Sequence, residues 1–131
     1  WDTTSGLAGC GVSFRADDDV SIGKSYDFML MRLQNAPAWW IAYYDYGRFQ
    51  YNVTIDGRAQ YSKVIDDTKL GQNKIALLAQ GEDLTTFING KRFQTVKSNK
   101  NLTGNLGYYV EQESGNTKCI YTDTFVWEFE K

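Results

Sequence analysis

Residues 74–97 read KIALLAQGEDLTTFINGKRFQTVK. Three short runs, Lys74–Gln80, Leu84–Ile88 and Lys91–Lys97, are separated by Gly-Glu-Asp and by Asn89–Gly90. Runs of this length, bounded by turn residues, read as strands. Asn-Gly between two of them is the strongest short hairpin signal, because a type I′ turn needs positive φ at both central residues.

The same grammar extends in both directions. Upstream, Leu7–Ala16 reads as a strand that ends in the polar turn Asp17–Asp19, and Tyr26–Leu33 reads as a second. The chain is expected to turn at Gln34–Pro37, since Pro37 fixes its own backbone and biases Ala36 toward extended geometry. Ala38–Tyr46 follows, Gly47 breaks it, and Arg48–Ile55 comes next. Downstream, Leu106–Gln112 and Cys119–Phe129 complete the set. Helical periodicity of useful length is absent, and only Asp66–Gln72 could supply a single turn. Strands near ten residues apart predict an antiparallel β-sandwich or barrel. The 131 residues suit one domain.

Composition removes several function classes. The net charge is -2 with no basic stripe, which argues against a nucleic-acid partner. The apolar runs are too short to span a bilayer. Histidine is absent, which removes Ser-His-Asp and Cys-His catalysis and every His-based metal site. The chain begins at Trp1 rather than Met, read here as removal of something upstream. An even pair of cysteines, abundant Tyr, Thr, Gly and Asn, and the sequons at Asn52 and Asn101 favour a secreted or cell-surface glycoprotein.

Taken in order, several motifs resemble the concanavalin A-like lectin/glucanase superfamily, in its laminin-G-like and keto-disaccharide-hydrolase-like branch. They are "GCGVSFRA" near the start, "NKIALLAQGEDLTTFINGKRFQTV", "GNLGYYV" from Gly104, and the closing "TDTFVWEF". The resemblance covers nearly the whole chain. It implies a two-sheet antiparallel jelly-roll sandwich in which the first and last strands are neighbours, so that Cys10 and Cys119 could form a disulfide. Two buried free thiols are the alternative. It also implies a full strand ahead of the first one read here, where only "WDTTSG" stands. The domain is thus expected to lack its first strand, leaving a sheet edge that another chain could fill. A structural calcium is implied near the terminal strands, with Asp17, Asp19 and Asp123 as ligands; no other cofactor is expected. The branch's hydrolytic Glu-x-Asp-x-x-Glu signature is incomplete, because Glu111-Gln112-Glu113 is followed by Asn116 where the third acid belongs. Catalysis is therefore disfavoured.

The stretch "PAWWIAYYDYGRFQY" (residues 37–51) holds seven aromatic rings in fifteen residues. On a strand, Trp40, Ala42 and Tyr44 share one face and Trp39, Ile41 and Tyr43 the other. Neither face is polar, so some rings are expected at the surface. Trp39, Trp40, Tyr43, Tyr44 and Tyr46 are the candidate ligand-binding residues, because aromatic faces stack on sugar rings while Tyr hydroxyls hydrogen-bond. Cross-strand packing and contacts between neighbouring protein copies compete with that reading. The functional expectation is a non-catalytic carbohydrate-binding module, with a self-contacting surface-layer or filament subunit as its rival.

Overall fold

A computed structural model describes residues 6–68, 70–113 and 115–128. Nine strands follow one another: β1 (Leu7–Ala16), β2 (Lys24–Leu33), β3 (Ala36–Asp45), β4 (Arg48–Asn52), β5 (Gln60–Tyr61), β6 (Ile75–Gln80), β7 (Asp83–Ile88), β8 (Lys91–Lys97) and β9 (Asn105–Gln112). The larger sheet has the order β4-β3-β2-β1-β9, with β5 also on β3, and the smaller is β6-β7-β8. Every pairing is antiparallel. β1, β2 and β3 form a meander, and β9 returns by a long connection to lie beside β1, which is a Greek-key arrangement. The fold is therefore an all-β two-sheet sandwich.

Turn chemistry sets the register. Asn89 and Gly90 have φ of 50° and 77°, the two positive values that a type I′ turn requires. The Asn89 side chain does more than turn the chain. Its Oδ1 accepts the Lys74 N–H at 2.8 Å, and its Nδ2 donates to the Val64 carbonyl at 2.7 Å. It thereby pins the 62–73 connection to the smaller sheet. The same double-positive geometry closes β2–β3 at Gln34–Asn35 and β3–β4 at Tyr46–Gly47. The turn expected to involve Pro37 is thus complete before it, and Pro37 lies in the ladder opposite Arg32. Its missing N–H is tolerated so near the start of a strand.

Alternation divides the larger sheet into two faces. Phe14, Tyr26, Phe28, Leu30, Trp39, Ile41 and Tyr43 point inward and meet Leu84, Ile88 and Val96 of the smaller sheet. Trp39 packs edge-on against Phe93 of β8 with centroids 5.5 Å apart, a pairing worth ~1 kcal/mol beyond its buried area. The Tyr26 hydroxyl bonds Ser98 Oγ at 2.6 Å across the same gap. Leu7, Met29, Met31 and Ala38 form a second cluster on the opposite, outer face. Sheet strands apolar on both faces read as near-continuous runs, and "YDFMLMRL" and "APAWWIAYY" are such runs.

Arg15 joins the sandwich at one end. It is buried, with φ of 50°. Its guanidinium donates to the carbonyls of Gly81 (2.6 Å) and Asn101 (3.3 Å), and Asn101 Nδ2 returns a bond to the Arg15 carbonyl at 2.7 Å.

Several expectations are corrected. Cys119–Phe129 is not a strand over its described residues, and Phe129 lies outside them. The disulfide Cys10–Cys119 explains this: Cys10 lies on the inner face of β1, so residue 119 is tied to a sheet face rather than a sheet edge. Tyr121 reinforces that placement, its hydroxyl taking the Gly11 N–H at 3.0 Å and lying 2.6 Å from the Tyr109 carbonyl. The fourth strand stops at Asn52 rather than Ile55; within 66–72 the Gly71 N–H bonds the Thr68 carbonyl at 3.0 Å, closing a single turn. β1 is flanked by β2 and β9. The segment ahead of it, residues 1–5, lies outside the described residues.

Candidate functional site

β1 carries glycine at positions 9 and 11, so two rows of the outer face have no side chain at its centre. One row runs Tyr109, Gly11, Met29, Trp40 across four strands, and the next runs Glu111, Gly9, Met31, Ala38. Met29 fills the space above Gly9, and Tyr109 of β9 reaches toward β3. Its ring lies 6.3 Å from that of Tyr44, and the two hydroxyls are 3.3 Å apart. The Tyr109 hydroxyl donates to Glu111 Oε2 at 2.9 Å. Burial pushes the Tyr44 hydroxyl up to about 12 and the Tyr109 hydroxyl well above its usual range. Both remain protonated through the physiological range.

β3 and β4 supply an aromatic wall beside this pair. Phe49 stacks on Trp40 with centroids 6.0 Å apart and meets Tyr44 edge-on, also at 6.0 Å. Half of Phe49 is open to solvent, while Trp40, Tyr44, Tyr109 and Glu111 are half-buried. The Trp40 Nε1–H is buried and has no acceptor among the described residues.

A further row runs Gly107, Ser13, Asp27, Ala42. Asp27 is 2% exposed and accepts the Ser13 hydroxyl at 2.5 Å. Burial raises its carboxyl to about 6; Ser13 opposes that shift and the charge of Glu111 adds to it. Enclosed in this way, the Asp27 carboxylate is shielded from solvent. The face thus offers aromatic planes, a hydroxyl donor and one half-buried carboxylate acceptor.

The rings of the aromatic stretch divide by parity. Trp40 and Tyr44 belong to this face. Trp39 (2% exposed) and Tyr43 (4%) do not, because odd positions of β3 point into the core between the sheets, and their proposal as surface platforms is corrected. Tyr46 is exposed but sits in the β3–β4 turn, beside an open depression of about 580 Å³ lined with Ser21, Asp45, Arg48 and Gln50. The sequence reading missed Phe49, Tyr109, Ser13 and Asp27. A signal for Asp27 existed: a lone carboxylate in "YDFMLM" must be buried in an apolar run, a costly arrangement that needs a partner.

The acids proposed for calcium are used otherwise. Asp17 Oδ2 accepts the Lys24 N–H at 2.8 Å, and Asp19 Oδ1 accepts the N–H and hydroxyl of Ser21 at 2.9 and 2.6 Å. Asp123 is exposed on the C-terminal segment. Among the described residues no three His, Cys, Asp or Glu side chains gather to hold a metal, so these three do not form the expected set. At both sequons the amide nitrogen that would carry a glycan is engaged, Asn52 with the Gly57 carbonyl at 3.4 Å and Asn101 with that of Arg15. No family model, curated protein or solved structure matches the chain, so the resemblance stands at the level of an all-β antiparallel sandwich.

Proposed function

We propose that the outer face of the larger sheet recognises a neutral carbohydrate. The observation that carries this reading is the union of an aromatic wall, Trp40–Phe49–Tyr44, with the hydrogen-bonded Tyr109–Glu111 pair on one face of the sheet. A pyranose ring offers an apolar C–H face to such a wall and hydroxyls to the acceptor and donor beside it. The order of motifs resembling the concanavalin A-like superfamily supports the reading, and the disulfide suits a secreted or cell-surface setting. The test is calorimetric titration with neutral cello-, laminari-, xylo-, manno- and chito-oligosaccharides. One of these should bind the wild-type chain, and Trp40→Ala should abolish the heat. Absence of binding across the panel would reject the reading.

The second reading, a subunit that contacts copies of itself, draws on a different surface. Leu106, Tyr108 and Val110 on the inner face of β9 are exposed, as are Ile120, Phe125, Val126 and Trp127 of the C-terminal segment. Stacking of Tyr108 on Tyr121 and of Phe125 on Trp127 gathers part of this apolar surface. Light scattering across a concentration series tests it: association that Trp127→Asp relieves supports it, and a monomer at every concentration rejects it.

A further inference from the structure

The seam between the two sheets holds a second concavity, on the opposite face of β3 from Trp40. It is open to solvent and measures about 270 Å³. Trp39 of β3 and Phe93 of β8 line its inner side, and Ile55, Asp56 and Tyr61 line its mouth. Gln94 completes it.

Two residues of this lining carry buried donors. The Trp39 Nε1–H and the Gln94 Nε2 are buried without a hydrogen-bond partner, in residues 2% and 8% exposed. The Gln94 amide is oriented: its Oε1 accepts the Ile55 N–H at 3.3 Å, which leaves the NH₂ end unpaired. A buried donor left unsatisfied costs about 1–3 kcal/mol, so a group that supplies acceptors recovers that cost. Two further features restrict the ligand. The Asp56 carboxylate at the mouth disfavours an anion; its Oδ1 already accepts from the Arg58 N–H and the Gln60 Nε2, which leaves Oδ2 for a hydroxyl proton. The Tyr61 ring, 57% exposed, and Ile55 offer an apolar surface there.

We infer that this seam is a second ligand site, which takes one neutral polyhydroxylated ring. Ring or hydroxyl oxygens accept from Trp39 and Gln94, another hydroxyl donates to Asp56, and the C–H face lies on Tyr61. Occupancy of the seam couples the 53–61 loop to β8, since a ligand there touches both.

The test is a two-dimensional ¹H–¹⁵N titration of the intact, oxidised chain that follows the Trp39 indole resonance. Glucose, galactose, mannose and N-acetylglucosamine serve as separate probes. One sugar should shift that resonance saturably. Tyr61→Ala, which removes an exposed ring, should weaken the apparent affinity several-fold, and Asp56→Asn should do the same. Trp40→Ala should leave the titration unchanged, which keeps failure of the outer-face reading distinct from failure here. A Trp39 resonance indifferent to all four sugars overturns the proposal. So does a shift that persists unaltered in both Tyr61→Ala and Asp56→Asn.

Discussion

At the scale of the residue, Asp27 is the clearest case of a side chain whose environment sets its chemistry. Its folded pKa, about 6, lies above the ordinary carboxylate value of 3.8. Between those values the folded chain holds a proton that the unfolded chain has lost, so stability falls as pH rises through that window. The expected loss is about 2–3 kcal/mol. Asp27→Asn keeps the acceptor for Ser13 and removes the ionisation. Urea unfolding at pH 4 and pH 7 should show a drop in wild-type stability that the variant lacks. Parity in β3 makes a second residue-scale contrast. Trp39→Ala empties the core between the sheets and should cost about 3–5 kcal/mol. Trp40→Ala loses a half-buried ring and should cost less than half as much; paired urea titrations check both.

At the scale of the element, turns carry the register and are the part best written in the sequence. Asn89–Gly90 reads as a type I′ hairpin from its residue types alone, and the structure has both positive φ values. What the dipeptide does not disclose is that the Asn89 amide also holds the distant 62–73 connection. Asn89→Ala should therefore cost about 1–3 kcal/mol, more than a turn residue alone, because it strands the Val64 carbonyl and the Lys74 N–H. Hydrogen exchange should localise the loss of protection to residues 62–75 as well as to the hairpin. The strand "CIYTDTFVWEF" shows the opposite limit. Its alternation is strong, yet a strand needs a free edge, and the disulfide holds this segment against a face. β5 failed to announce itself for a related reason: two residues, Gln60 and Tyr61, are too few to show a period.

At the scale of the whole molecule, two sheets enclose the main core, and a smaller cluster of Leu7, Met29, Met31 and Ala38 is buried on the outer face of the larger sheet. The disulfide closes a separation of 109 residues, nominally worth about 4–5 kcal/mol in the chain-entropy model. The core cluster includes neither cysteine. The Cys10→Ser, Cys119→Ser double variant should thus unfold at lower urea while keeping cooperative two-state unfolding and a β-sheet circular dichroism spectrum.

Half of the site was legible at this scale. Trp40 and Tyr44 stand out as rings in excess of what a core can hold. The contributions of Tyr109 and Glu111 depend on β9 returning to β1, a long-range pairing that no local pattern encodes. The placement of Trp39 and Tyr43 depends on which face of β3 meets the smaller sheet, which alternation alone leaves undecided.

The central claim is that β3 devotes its odd positions to the core and its even positions to a ligand. Calorimetric titration of Trp40→Ala with the oligosaccharide that binds wild type, alongside its urea unfolding curve, tests this most directly. The account predicts that binding is lost while the chain stays folded, with cooperative unfolding and a stability loss smaller than that of Trp39→Ala. Wild-type affinity in a folded Trp40→Ala chain would contradict it.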